Sequence, residues 1–272
     1  MSERIGFIIG GGDLARICVE NAVKEGLNVF VAGFDGITDR EIERYNISFE
    51  FFKLGELARI IDFFNKNSVK KVVIIGKVAH INVFKNIKVD MRGALFLMKL
   101  KDKTPTGIFK AIEDELLKDG IEVESPLRFL SNNLLPHGVL CGEVSKDEIR
   151  EIEYGFNIAK RIASMDIGLS VMIKDYCVVA VEGIEGTDAC IRRAGQLCGK
   201  NSGFIMVKVA RPNQDVRFDL PVIGPSTVEN IFEAGGRIIA AEADKTVVAD
   251  IKKTIEIACD KGVSIYGVRE VR

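Results

Sequence analysis

Arg4-Ile-Gly-Phe-Ile-Ile9-Gly10-Gly11-Gly12-Asp13-Leu14-Ala-Arg-Ile-Cys-Val-Glu-Asn-Ala-Val23 is the stretch that decides the fold class. An apolar run of strand length stops at three glycines. Leu14, Ile17, Cys18 and Ala22 then recur at helical spacing. Gly26 closes that helix, and 27–32 reads as a second strand, so the chain opens with a βαβ unit. Gly10, Gly12 and Ala15 satisfy the spacing of a dinucleotide-binding turn, and Asp35 stands where a ribose-binding carboxylate would be. Any βαβ unit with a tight first turn produces this pattern. A dinucleotide, another phosphate ligand and a purely structural turn therefore all stay open.

Working outward, 56–67 is an amphipathic helix with Leu57, Ile60, Ile61 and Phe64 on one face. The buried strand 69–75 follows and runs into Gly76-Lys77-Val78, a glycine and a lysine at the edge where ligands of open α/β sheets sit. Lys77 reads equally as a phosphate contact or a solvated loop lysine, and His80 has no partner identifiable in sequence. Helical spacing covers 89–118, interrupted at Thr104-Pro105-Thr106, with Thr106 as a candidate cap, and 121–123 is a short strand. Ser131-Asn-Asn-Leu-Leu-Pro136-His137-Gly138 has the turn residues of a connector. A chain of 272 residues is long for one domain, so two α/β domains are expected, 1–135 and 136–272.

Ser145 and Glu148 make a capping box for a helix running to about 163. Strands at 169–173 and 177–181 are joined hairpin-fashion by Lys174-Asp175-Tyr176. Then comes Glu182-Gly183-Ile-Glu185-Gly186-Thr187-Asp188 and a helix carrying Arg192 and Arg193. A strand that empties into a helix start presents N–H groups without intrahelical partners, which suits an anion. Thr187 or Asp188 is expected to hold one of those N–H groups. A strand at 204–209 feeds a second polar run, Lys208-Val-Ala-Arg211-Pro-Asn-Gln214-Asp215-Val-Arg217-Phe-Asp219-Leu-Pro221. Helices from Pro225 and over 248–260, with strands at 238–241 and 263–268, complete the second half.

Net charge is −1, so no global field attracts nucleic acid, and anion binding must come from local clusters. The six cysteines form no Cys-x-x-Cys pair, which speaks for reduced thiols rather than a zinc site or a disulfide scaffold. Neither a signal segment nor an apolar run of spanning length is present, and the expected location is cytoplasmic.

Taken together, Gly10-Gly11-Gly12, Gly76-Lys77-Val78, Met165-Asp-Ile-Gly168, Glu185-Gly186-Thr187-Asp188 and Gln214-Asp215-Val-Arg217-Phe-Asp219-Leu-Pro221-Val-Ile-Gly224 resemble the UDP-2,3-diacylglucosamine pyrophosphatases of the LpxI kind, in order and spacing along essentially the whole chain. The resemblance implies an N-terminal Rossmann-like lid domain and a C-terminal catalytic domain. It also implies cleavage of UDP-2,3-diacylglucosamine to UMP and 2,3-diacylglucosamine 1-phosphate in lipid A synthesis. Water attacks the α-phosphorus, and Mg²⁺ or Mn²⁺ is required. It makes Asp219 catalytic. The expected partners are the lipid substrate, a transient contact with the inner membrane surface and a second copy in a homodimer.

That chemistry needs the phosphate charges neutralised, a water aimed in line and the leaving phosphate stabilised. Lys77, Arg192, Lys208, Arg211 and Arg217 are the candidate cations, and Gly10, Gly11, Gly12, Asp13, Gly76, Gly186, Thr187, Asp188 and Gln214 complete the expected substrate contacts. Asp219 and Asp188 are the expected metal ligands, with Asp215 and Glu182 as further carboxylates. Two histidines suit an oxygen-ligated ion better than zinc. The alternatives are a nicotinamide-dependent oxidoreductase built on Gly10, Gly12 and Asp35, and a UDP-sugar sensor without turnover.

Overall fold

The computed structural model describes residues 2–76, 89–102, 105–199, 202–212, 217 and 220–270, without the side chains of 105 and 106. Lys77, His80, Gln214, Asp215 and Asp219 lie outside the described residues. The chain forms two α/β units, Met1–Ser131 with Asp215–Phe218, and Asn132–Gln214 with Asp219–Arg272.

In the first unit, β1 (Arg4–Ile9), β2 (Asn28–Phe34), β3 (Ser48–Phe52), β4 (Lys71–Ile75) and β5 (Glu122–Glu124) make a parallel sheet in the order β3-β2-β1-β4-β5. Helices α1 (Asp13–Lys24), α2 (Leu57–Lys66), α3 (Met91–Lys99), α4 (Pro105–Leu117) and α5 (Leu127–Leu130) accompany it. Parallel strands covered on both faces must be apolar on both sides, which is why β1 and β4 read as continuous hydrophobic runs. Ile8, Ile74, Ile60, Phe64 and Leu116 share one buried cluster, while Phe7 packs on Phe129 of α5 with ring centroids 5.3 Å apart. Each fully buried side chain of this size contributes about 2–3 kcal/mol.

Two details depart from the sequence reading. Strand β3 is missed there, because five residues carry too little periodicity to separate strand from loop; pairing with β2 makes it a strand. Helix α4 begins at Pro105, so Thr106 lies inside its first turn rather than ahead of it.

The second unit holds a six-stranded mixed sheet. Its strands are β6 (Gly138–Cys141), β7 (Ser170–Lys174), β8 (Cys177–Val181), β9 (Phe204–Lys208), β11 (Gly236–Glu242) and β13 (Ser264–Val268), in the order β6-β13-β11-β9-β7-β8. A separate parallel pair joins β10 (Val222–Ile223) to β12 (Val247–Val248). Helices α6 (Lys146–Ser164), α7 (Thr187–Cys198), α8 (Pro225–Glu233) and α9 (Ile251–Lys261) cover the six-stranded sheet. Alternate residues of each strand divide between the faces: Val171, Ile205, Val207 and Ile238 cluster with Ile152 and Phe156 of α6, and Met172, Met206, Ile239 and Ile265 with Ile191, Ile231 and Ala258 of α7, α8 and α9.

Asp175 and Tyr176 both have positive φ, 50° and 59°, the signature of a two-residue hairpin turn between β7 and β8. The expected helix start at 248 is corrected: Val247 and Val248 pair with β10, and Asp250 caps α9 by accepting from the Lys253 N–H. Because β7 runs antiparallel to β9 while β8, β9 and β11 run together, the start of β7 and the ends of β8, β9 and β11 share one edge.

Candidate functional sites

In the first unit the reversal of strand order between β1 and β4 opens a crevice at the sheet edge, where parallel α/β sheets bind ligands. Gly12 caps α1 with φ 102° and ψ 160°, and among the described residues no side-chain cap bonds the first amides. Such a backbone is essentially restricted to glycine. Gly76 lies against the same loop: a Cβ there would stand 2.8 Å from the Gly10 nitrogen, and its φ is +106°. The Gly10 N–H is already used, donating to the Ile75 carbonyl at 2.9 Å. Asp13 is exposed, with Arg16 4.0 Å away, and Arg16 also lies 3.5 Å from Glu20. Thr38, absent from the sequence reading, closes the floor. It is buried, donates to the Ile9 carbonyl at 2.6 Å and accepts from the Phe34 N–H at 2.8 Å. Gly10, Gly12, Arg16, Thr38 and Glu41 line a shallow depression beside the loop. Asp35 is exposed just beyond β2.

The second unit concentrates its buried charge at the shared strand edge. Lys208, the last residue of β9, is only 8% exposed and donates to Thr187 Oγ1 at 2.9 Å. That hydroxyl donates in turn to Glu182 Oε1 at 2.7 Å. The second Glu182 oxygen is buried without a hydrogen-bond partner among the described residues. Gly168 makes the approach feasible, since a Cβ there would meet the Glu182 carbonyl oxygen at 2.0 Å.

Thr187 is therefore not the expected helix cap. Gly186 caps α7 with φ 80° and ψ 168°, and among the described residues no side-chain cap bonds the first amides. The Thr187 hydroxyl is oriented instead between a lysine and a carboxylate. The loop before α7 is braced from outside: Arg193 donates to Glu185 and to the Val181 carbonyl, and Glu185 accepts from the Gly183 N–H. Backbone hydrogen bonding, then Arg193, holds the Glu185 carboxyl below its usual range. Arg192 is exposed on α7. Asp188 is exposed and accepts from Asn230 Nδ2 of α8 at 3.0 Å. Burial pushes the Cys190 thiol up to about 11, which leaves it no nucleophile at neutral pH.

Beside this chain lies a second buried group that sequence reasoning missed. Glu242, the last residue of β11, accepts from Lys160 at 3.1 Å and from the Ala210 N–H at 2.9 Å, and pairs with Lys245 at 2.8 Å. Burial raises its carboxyl, but Lys245, the Ala210 N–H and Lys160 outweigh that and leave it below the ordinary range. The available signal was a charge ending an otherwise apolar strand, the feature that also marks Lys208.

Of the predicted contacts, the structure joins Gly10 to Gly76 and Thr187 to Lys208. Arg217 is ion-paired with Glu113 of α4.

Models of the LpxI N-terminal domain and the LpxI C-terminal domain match residues 4–133 and 136–266. The chain is 29% identical over 277 aligned positions to a protein of Caulobacter vibrioides named UDP-2,3-diacylglucosamine pyrophosphatase LpxI, covering 98% of each. Among solved structures, a UDP-glucose 4-epimerase of Thermus thermophilus with NAD overlaps at 16% identity and TM-score 0.31, over 53% of this chain and 40% of that one. The Bordetella bronchiseptica enzyme WbmH with NAD⁺ overlaps at 12% identity and TM-score 0.36, over 99% and 75%. Overlaps that slight carry no argument about function.

Proposed function

The chain belongs to the LpxI family, and from that premise we propose that it hydrolyses the pyrophosphate bond of UDP-2,3-diacylglucosamine to UMP and 2,3-diacylglucosamine 1-phosphate, in lipid A synthesis. The observation that carries the reading is the Lys208–Thr187–Glu182 chain behind the start of α7. A lysine held at a fixed atom, next to helix-start N–H groups that no side-chain cap among the described residues occupies, is preorganised for phosphate oxygens. Glu182 orients the Thr187 hydroxyl, Thr187 fixes the Lys208 ammonium, and the lysine offsets charge on the pyrophosphate. Asp219, eleven residues beyond Lys208, is the proposed group that orients or deprotonates the attacking water.

Carboxylate oxygens are the donors a hard divalent ion prefers, although among the described residues no group of three or more His, Cys, Asp or Glu that could hold one is gathered. Among the described residues Glu182 Oε2 is a buried carboxylate oxygen without a hydrogen-bond partner, and Asp188 accepts from Asn230 through one oxygen. Mg²⁺ typically takes one or two protein carboxylates and completes its shell with water and phosphate oxygens. Asp188 and Asp219, with Glu182 as a further carboxylate, are the residues proposed to hold Mg²⁺ or Mn²⁺. When bound, the ion supplies charge neutralisation at the phosphates and a more acidic water.

A substrate with two acyl chains is membrane-borne, and α3 offers a matching surface. Met91, Leu95 and Met98 lie on one face at 84%, 49% and 84% exposure, with exposed Lys99 and Lys101 at the helix end. This face is proposed to rest on an anionic bilayer. No helix among the described residues is long and apolar enough to cross a membrane.

The test is UMP release from UDP-2,3-diacylglucosamine across a Mg²⁺ and Mn²⁺ series. Turnover that disappears in Asp219→Ala supports the assignment. Saturable UDP-sugar binding without UMP at any metal concentration would leave a sensor, and saturable NAD(H) binding without hydrolysis would return the oxidoreductase.

A further inference from the structure

We propose that Cys141 and Cys259 form a reversible disulfide that clamps the edge strand of the second sheet to its last helix. The two sulfurs stand 2.8 Å apart although 118 positions separate the residues in the chain. A disulfide bond is about 2.05 Å long, so a closure of roughly 0.8 Å turns this contact into a bond. Two rigid elements aim the pair. Cys141 ends β6, in register with Ile265 of β13, and Cys259 lies on the last turn of α9. The Cys141 sulfur also approaches the Ile255 carbonyl, one turn earlier on α9, at 3.8 Å.

The accessibility of the two thiols sets the order of events. Cys259 is exposed and Cys141 is buried. Burial first, and the neighbouring Cys259 second, push the Cys141 thiol up to about 11, so it is not the point of entry. The co-reactant is a small-molecule disulfide such as oxidised glutathione. The Cys259 thiolate attacks one of its sulfurs, its S–S bond breaks, a mixed disulfide forms on Cys259, and one glutathione thiolate leaves. Cys141 then gives up its proton and attacks the Cys259 sulfur, expelling the second glutathione thiolate. Two protein thiols lose two electrons, the oxidant gains them, and the two protons end on two glutathione thiols.

Position in the sheet separates this link from the polar edge. Strand β6 is the outer strand, and β9, which carries Lys208, lies beyond β13 and β11. The crosslink therefore constrains the scaffold without touching Lys208, Thr187 or Glu182. Closing a loop of this length restricts the unfolded chain strongly.

The experiment treats the full chain in a Cys177→Ser background, which removes another exposed thiol, with oxidised glutathione. The protein is then denatured and labelled with maleimide. Expected are two fewer maleimides than in the reduced protein and a mapped peptide joining 141 to 259. Thermal unfolding should shift upward by on the order of 10 °C, and dithiothreitol should reverse it. Adding Cys259→Ser or Cys141→Ser should abolish both the linked peptide and the shift. Three results overturn the proposal: full labelling after oxidation, a lasting glutathione adduct on Cys259, or a crosslink that maps to other cysteines.

Discussion

Two helix starts in this protein are built alike and equipped differently. Gly12 before α1 and Gly186 before α7 both adopt extended backbone at positive φ, and neither helix has a side-chain cap. Among the described residues, both present N–H groups without a side-chain cap. At α1 the nearby cation, Arg16, is already matched by Asp13 and Glu20 on its own helix. At α7 the cation arrives from another strand: Lys208 reaches Thr187, which is tied to Glu182. The backbone device is generic, and the buried charge behind it marks the end proposed for chemistry.

The sharpest way to break that contrast is Lys208→Met. If the lysine stabilises charge developing on the pyrophosphate, UMP release should fall at least ~100-fold. A loss under threefold in a folded variant would remove Lys208 from the mechanism. Arg16→Met should change kcat by less than about twofold, because Arg16 is balanced locally.

Next in size is Lys160→Met, expected to cost about 3 kcal/mol in urea unfolding, since it strips a partner from buried Glu242. The pH dependence follows from the same group. The Glu242 carboxyl is held below its ordinary range, so the folded protein takes up that proton less readily than the unfolded chain. Its contribution is fully present above the unfolded value of about 4.3 and is lost as pH falls through the lower folded value. Glu242→Gln should therefore flatten the acid limb of a stability–pH curve; an unchanged limb would assign it to other carboxylates.

The glycines sharpen the comparison at the backbone. Gly12→Ala and Gly186→Ala meet nothing within 4 Å, so each should cost only backbone strain, about 1–3 kcal/mol. Gly76→Ala adds contact with the Gly10 backbone at 2.8 Å and should cost more than either, by thermal unfolding. Equal costs for the three would mean the Gly10–Gly76 approach relaxes freely.

Smaller than the Lys208→Met loss is the expected effect of Thr187→Val. It removes the hydroxyl between Lys208 and Glu182 while keeping the shape, and should lower kcat about tenfold with KM little changed. Thr187→Ser should restore most of it, which a simple packing role would not require.

Much of the scaffold was readable along the chain. The helix of the capping box, the Asp175–Tyr176 hairpin and the βαβ start follow from local spacing and turn chemistry. Short strands were not readable: β3, β6, β10 and β12 have two to five residues each, and pairing alone makes them strands. The same limit applied to the sites. Lys208 and Thr187 were visible as polar residues at element ends, but Thr187 read as a cap because its nearest neighbours in sequence are helix amides. Glu242 and Thr38 went unnoticed, since their partners lie far along the chain: Lys160 is 82 positions from Glu242, and Ile9 is 29 from Thr38.

By itself, then, the sequence determined the longer strands and helices, which faces are apolar and where glycine must bend the backbone. Those properties depend on residues within a turn or two of each other. Only the tertiary structure decided that β7 enters the second sheet antiparallel, bringing Ser170 opposite Lys208 and Glu182 to the same edge. It also set Cys259 against Cys141. Burying apolar faces is a local pattern, whereas the partner of a buried charge or thiol is chosen by sheet order and helix packing, which bring distant segments together.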